Sequence, residues 1–254
     1  MSAWLSSIAG TPAGHQAAIA LALAAAALHA AFGSLQKGRH DPWMTRGATD
    51  ISYGLMMLPV ALFVVPRPEP RIWALLGGAF VIHTIYKLLQ ASAYARGEFT
   101  VVYPVVRGTG PLVTVIAAGF VFSEQFAKIQ WAGVGALSLG ILSLGAINLR
   151  RAPEGIAPAL VLAVLTGFLV AAYTTYDAYG IRSATDPLTF LVWFFVVDGF
   201  AFPLIAVWRW NIGRIQPGRG PLALRGIAGG MIALMSFGAI MMATYLDRVG
   251  EAAV

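Results

Sequence analysis

Eight apolar segments, separated by short connectors rich in Gly, Pro and charged residues, restrict this chain to one broad class of fold. Most contain about 20 residues, the length at which an α-helix crosses the hydrocarbon core of a bilayer. The second segment is shorter, which fits either a thin or cavity-lining span or a misplaced boundary. The pattern predicts an all-α polytopic membrane protein with spans at residues 17–35, 51–65, 72–95, 101–122, 131–149, 157–178, 188–208 and 224–246.

The composition supports this class and excludes others. Of the 254 residues, 58% are hydrophobic and 11% are charged, whereas soluble domains carry about 25% charged residues. The net charge of +6 comes from Lys and Arg scattered over connectors, so no nucleic-acid partner is predicted. The lack of cysteine excludes disulfides, thiol catalysis and cysteine-bound metal. Residues 1–16 contain no Lys or Arg, so the first segment is expected to be a retained span and not a cleaved signal peptide.

The fourth segment carries Arg107 between Pro104 and Pro111. A guanidinium keeps its charge in proteins, and its placement inside the bilayer costs several kcal/mol. Each proline removes a backbone donor, so neighbouring groups must satisfy the carbonyl that it leaves. We therefore expect Arg107 to face a partner, a water-filled cavity or a ligand.

Polar and aromatic side chains recur along one face of the third segment, at His83, Lys87, Gln90 and Tyr94. If this face meets the one around Arg107, the two cations form a floor that suits a carboxylate, phosphate or phosphonate group. The alternative is that Lys87 extends toward the headgroups or pairs with Asp198. For Trp193 the alternative is an anchor at the membrane interface, the usual role of a tryptophan near a span end. The predicted substrate-binding residues are Arg107, Lys87, Tyr103, His83, Tyr86, Gln90 and Trp193.

Other polar residues within the segments receive weaker predictions. Asp198, midway along the seventh segment, is interpreted as a proton-coupling or charge-partner residue, with a structural interhelical hydrogen bond as the alternative. Asp177, at the end of the sixth, is interpreted as an interfacial residue, and Glu124 as structural. For His29 we expect packing or an interhelical hydrogen bond. Two histidines on different helices without a carboxylate partner do not predict a metal site, and no cofactor is expected.

Two short stretches recur in the two halves of the chain. Residues 28–36 align with residues 169–177, and Gly97-Glu98 is echoed by Gly250-Glu251. Such repeats are common in secondary transporters, with the substrate site at their interface. The predicted organisation is an N-terminal segment (1–16), a first five-helix repeat (17–149) and a second repeat (157–254) with three helices only. Because the first repeat continues for about 50 residues beyond its Gly-Glu pair, we expect a truncated form of a longer chain.

The chain resembles the EamA-type transporters of the drug/metabolite transporter superfamily. The matching features are a proline-containing fourth helix with a Glu near its end and a glycine-rich fifth helix, at Pro104, Pro111, Glu124, Gln130, Gly133 and Gly140. The resemblance implies two inverted five-helix halves, of which eight helices are present. It also implies a multi-pass protein of a cell membrane, the bacterial inner membrane being favoured, that moves a small metabolite, often outward, and is not an enzyme.

Three questions stay open at this stage. Of the 17 Lys and Arg residues, ten lie in connectors after odd-numbered segments and five after even-numbered ones, which puts the N-terminus outside, whereas the resemblance puts it in the cytoplasm. Small residues at positions 132, 136 and 140 indicate either helix packing or a homodimer interface. A non-transporting membrane subunit or sensor, or a membrane-embedded enzyme, is the alternative function, although GxSxG and HExxH motifs are absent.

Overall fold

The computed structural model describes residues 2–36, 41–149, 155–212 and 218–252, and these ranges contain helices and no strand. The helices are α1 (Ser2–Ile8), α2 (Pro12–Gln36), α3 (Pro42–Phe63), α4 (Pro70–Arg96), α5 (Phe99–Phe122), α6 (Lys128–Leu149), α7 (Ala157–Ser183), α8 (Pro187–Asp198), α9 (Ala201–Ile212), α10 (Arg219–Leu246) and α11 (Val249–Ala252).

Seven helical segments of the described chain are long and apolar enough to cross a membrane. They begin or end within a few residues of seven of the predicted spans. Large apolar side chains lie on their outer surfaces: Phe120 and Leu204, for example, are 85% and 71% exposed. Such surfaces suit contact with lipid. The all-α polytopic membrane class is therefore confirmed, and the segments are Pro12–Leu35, Pro70–Arg96, Phe99–Phe122, Lys128–Ile147, Ala157–Ser183, Pro187–Ile212 and Arg219–Leu246.

The predicted boundaries of the second span were wrong. Helix α3 begins at Pro42, nine residues before the predicted start at residue 51. Asp41 caps it, accepting hydrogen bonds from the backbone N–H groups of Trp43 and Met44 at 2.8 and 2.9 Å, and proline suits the first helical position. The N-terminal half of α3 carries Arg46 and Asp50. These charges end an apolar run, so α3 has the length of a span without the apolar composition of the other seven.

The predicted seventh span, residues 188–208, is two helices. Helix α8 ends at Asp198 and α9 begins at Ala201, with a turn at Gly199 and Phe200. Pro203 explains the interruption, because a proline ring inside a helix collides with the carbonyl four residues earlier, here that of Gly199. In the first turn of a new helix the proline is tolerated. Asp198 therefore sits at the end of a half-helix and not in the middle of a continuous span.

The chain divides into two compact units, and the first comprises Met1–Thr84 and Asp177–Asp247. In this unit α10 packs along α2 and α3, and α3 also packs on α8 and α9. Glycines lie where these helices cross, and a glycine lets two backbones approach closely. A Cβ atom built on Gly199 would lie 2.9 Å from the Cα of Gly54 on α3, and one on Gly226 of α10 would lie 2.7 Å from the carbonyl oxygen of Ala48.

The second unit comprises Ile85–Tyr176 and Arg248–Val254. Helix α5 packs along α6, and α11 packs on α5. Gly108 of α5 lies against Leu142 of α6, and Gly110 lies against Val170 of α7. By contrast, Gly140 of α6 has nothing within 4 Å of an added Cβ. Both units contain segments of both predicted repeats, and the repeat organisation stays a prediction.

The contact of Gly199 with α3 leads to a stability prediction. A Cβ at Gly199 would lie 3.0 Å or less from backbone atoms of Gly54 and Asp50, which cannot move as a side-chain end can. We expect Gly199→Ala to lower the free energy of unfolding by about 1–3 kcal/mol, the usual cost of overpacking. Denaturant unfolding in detergent micelles measures it. The control is Gly140→Ala, which should be neutral or stabilising by up to about 1 kcal/mol; equal stability of both variants would contradict the prediction.

Candidate functional site

Arg107 lies in the second unit, on α5, eight residues after the first residue of the helix. At 1.5 Å per residue this is about 12 Å along the helix axis, well inside a span. The guanidinium is partly buried and its carbon lies 5.6 Å from the ring centroid of Tyr103, a cation–π distance. Within the described residues it makes no hydrogen bond and no ion pair. Its five N–H donors are therefore not used by the described part of the protein.

Aromatic side chains of the second unit surround this position. Tyr86 and Tyr173 make an edge-to-face contact with ring centroids 4.9 Å apart, and Gln90 Nε2 donates to the Tyr86 hydroxyl at 2.7 Å. Phe99 stacks on Tyr103 at 4.8 Å. Hydroxyl-bearing rings can both pack on an organic solute and exchange hydrogen bonds with it. Four tyrosines interact electrostatically with the guanidinium, and we call the group the arginine–tyrosine cluster: Arg107, Tyr86, Tyr94, Tyr103 and Tyr173.

Lys87 belongs to the same unit and follows Tyr86 on α4. Only 1% of the lysine is exposed, and it is among the largest fully buried side chains of the described residues. A buried ammonium must be compensated by partners or by a ligand, because its desolvation is costly. The structure thus brings five of the predicted substrate-binding residues into one unit: Arg107, Lys87, Tyr103, Tyr86 and Gln90.

His83, four residues before Lys87 on α4, belongs to the first unit. Its Nε2 donates to Asp177 Oδ2 at 2.7 Å, and the two residues are only 3% and 2% exposed. The rings of Phe194 and Phe237 lie edge-on to the imidazole at 4.8 and 5.5 Å. Two ligand groups fall short of the three or four that a zinc site needs. We refer to these two residues as the His83–Asp177 pair.

Asp177 corrects a prediction. It was expected at the interface because the sixth span was predicted to end at residue 178, but α7 continues to Ser183, which leaves Asp177 inside the helix. Its second carboxylate oxygen, Oδ1, is buried and accepts no hydrogen bond from the described residues. An unsatisfied buried acceptor costs about 1–3 kcal/mol, and more when it is charged. The sequence analysis favoured an interfacial position for Asp177, although a carboxylate within an apolar segment is itself a signal of function.

Asp198, the predicted coupling residue, also belongs to the first unit. It accepts a hydrogen bond of 2.5 Å from the Tyr53 hydroxyl, and both residues are buried. Asp50, one turn before Tyr53 on α3, forms an ion pair at 2.8 Å with Arg46, one turn earlier still. Asp177 and Asp198 interact electrostatically, as do Tyr53 and Asp50. A chain of buried polar groups therefore runs through the first unit from α4 and α7 to α3.

Three further residues have mainly structural contacts. Trp193, in the first unit, packs edge-to-face on Trp73 at 5.0 Å and against an apolar cluster of α3 and α8. His29 Nδ1 lies 3.0 Å from the hydroxyl of Ser236, so the predicted interhelical hydrogen bond is confirmed. Glu124 accepts hydrogen bonds at 2.7 and 3.0 Å from the first and second backbone N–H groups of α11, a structural role as predicted.

Comparisons with known proteins give a family for this arrangement. Residues 15–146 match the profile of the EamA-like transporter family. A stretch of 64 residues is 36% identical to an uncharacterized protein, y4nH, of Sinorhizobium fredii (strain NBRC 101917 / NGR234). That match covers 25% of this chain and 55% of the relative, so the chain spans about half the length of the curated relative that it matches.

Proposed function

We propose that this chain, which belongs to the EamA-like transporter family and is a multi-pass membrane protein, carries a small organic or inorganic anion across the membrane by alternating access. The family and the membrane location are thus as predicted from the sequence. The anionic class of the substrate, the residues that bind it and the mechanism are the proposal. Export is the direction that we favour, because transporters of the family that the sequence resembles often move their substrates outward.

The single observation that carries the proposal is the state of Arg107. An ionised guanidinium inside a span that uses none of its donors on the described protein is unfavourable unless something else satisfies it. A carboxylate, phosphate or phosphonate matches the fork of the guanidinium with two parallel hydrogen bonds. A bound anion therefore offsets both the charge and the missing hydrogen bonds.

The remaining groups of the second unit fit the same kind of solute. Lys87 adds a second positive charge to the unit and strengthens anion selectivity in a medium of low dielectric constant. Tyr86, Tyr103 and Gln90 supply flat apolar surface and hydrogen-bonding groups. Amino-acid-like zwitterions and dicarboxylates meet these requirements. Asp198 lies beside the α8–α9 interruption, and its proposed role is still that of a coupling or charge-partner residue whose interactions change during the transport cycle.

Reconstituted flux tests this proposal and separates a carrier from a sensor or subunit. Purified protein is first screened for thermal stabilisation by L-malate, L-glutamate, inorganic phosphate and methylphosphonate. A ligand at 100 times its Kd stabilises the folded state by about 2.7 kcal/mol. Radiolabelled hits are then followed into proteoliposomes, with glycerol and putrescine as neutral and cationic comparators. We expect saturable flux of at least one anion and none of the comparators; flux of comparators alone, or of nothing, contradicts the proposal.

A further inference from the structure

We propose that the His83–Asp177 pair is a proton-binding site that takes up and releases one proton in each transport cycle, so that this carrier is coupled to a proton gradient. The inference rests on the proposed transport function for the coupling, but the proton site itself is a separate chemical claim. The substrate-binding residues of the second unit are not part of it.

The geometry of the pair is that of a proton-exchanging site. His83 Nε2 and Asp177 Oδ2 are 2.7 Å apart in a location where both residues are almost fully buried. Asp177 Oδ1 is buried as well and receives no hydrogen bond from the described residues. A structural carboxylate would normally have donors on both oxygens. In the proposed site, Asp177 Oδ1 accepts either a proton or a hydrogen bond from a water molecule that delivers one.

The charge of the pair changes with a single proton. When the imidazole is neutral, its Nε2–H donates to the ionised carboxylate and the pair carries one negative charge. Uptake of one proton from water gives an imidazolium opposite a carboxylate, and the pair becomes neutral; release of that proton restores the negative charge. Because buried net charge is costly, the neutral state is favoured in a dry setting and the negative state in a hydrated one. Changes of water access therefore drive loading and unloading.

Charged and titratable groups on the neighbouring helices link the pair to the rest of the first unit. Asp198 at the end of α8 interacts electrostatically with Asp177, and any shift of α8 at its interruption would change that interaction. The aromatic rings of Phe194 and Phe237 cover the imidazole. The charged and titratable groups of the first unit to be considered with the pair are Asp198 on α8 and Tyr53, Arg46 and Asp50 on α3.

The proton site is tested by nuclear magnetic resonance without any substrate. The chain has four histidines, so ring-labelled protein gives few signals, and His83→Gln identifies that of His83. We expect this signal to report uptake of one proton within the pH range in which the protein stays folded. In Asp177→Asn the transition should shift by at least about one pH unit, because a charged partner has been removed. The matched control, Asp41→Asn, changes an exposed cap that asparagine replaces well.

Two results would overturn the proton site: a His83 signal that stays constant over this range in the wild type, or an unchanged transition in Asp177→Asn. Coupling is tested in proteoliposomes with the anion found by the flux screen. With one proton moved per substrate, a gradient of one pH unit supports about tenfold accumulation. We expect Asp177→Asn to exchange labelled for unlabelled anion at the wild-type rate and to accumulate none.

The outcomes separate the two proposals. If Asp177→Asn accumulates the anion as the wild type does, coupling through the pair is wrong while the transport function stands. If the wild type carries no anion in the screen, the transport function fails, and the histidine titration still decides whether the pair binds a proton. Should Asp177→Asn not fold, the wild-type titration and the accumulation ratio of the wild type remain decisive, since a carrier indifferent to pH contradicts the inference.

Discussion

Arg107→Ala is expected to reduce anion transport by about 10- to 100-fold and to abolish stabilisation of the protein by the anion. The reason is the loss of charge-assisted hydrogen bonds, which contribute about 1.5–3 kcal/mol each. The fold should survive, because the guanidinium donates to no group of the described residues. Initial flux rates in proteoliposomes and the ligand-induced shift in melting temperature measure the two effects.

Two further variants make this result specific. Arg96→Ala removes the same side chain from an exposed position at the end of α4, where it donates to the Ser92 carbonyl, and transport should stay at the wild-type level. Arg107→Lys keeps the charge but loses the planar fork, so we expect intermediate rates with weaker discrimination among anions. Wild-type transport in Arg107→Ala would remove Arg107 from the binding site.

Lys87→Met should raise the KM for the anion by about tenfold or more. Methionine matches the lysine in length and tolerates the helix, so the change removes chiefly the positive charge. The effect is large because Lys87 is only 1% exposed, and electrostatic attraction in a buried setting is weakly screened. Concentration dependence of flux gives KM, and size-exclusion chromatography reports whether the variant is folded.

Lys128→Met is the matched control for this change. Lys128 is exposed at the start of α6, where its charge is screened by solvent. We expect its KM to equal that of the wild type. If Lys87→Met also transports with an unchanged KM while remaining folded, the lysine acts in the internal packing of its unit and not on the substrate.

Some features of the fold and of the candidate site could be predicted from the sequence, and others could not. Arg107 was found from the sequence because one ionised residue in an apolar run is unfavourable whatever surrounds it. The predicted second span began nine residues after the start of α3, because Arg46 and Asp50 interrupt the apolar run, although Asp41-Pro42 is a helix-start signal. His83 belongs to the first unit and Lys87, one turn later on the same helix, to the second, so the place of His83 among the substrate-binding residues stays a prediction.

The sequence by itself determined the helical membrane class and the candidate cation in the fourth span. Both follow from local properties: run length decides whether a helix crosses the bilayer, and charge in that run requires compensation. Only the tertiary structure decided that Asp177 pairs with His83, 94 positions away in the chain, and that the span after it breaks at Gly199 against Gly54. Partners on distant helices depend on which faces pack together, and that information is absent from the local pattern of residues.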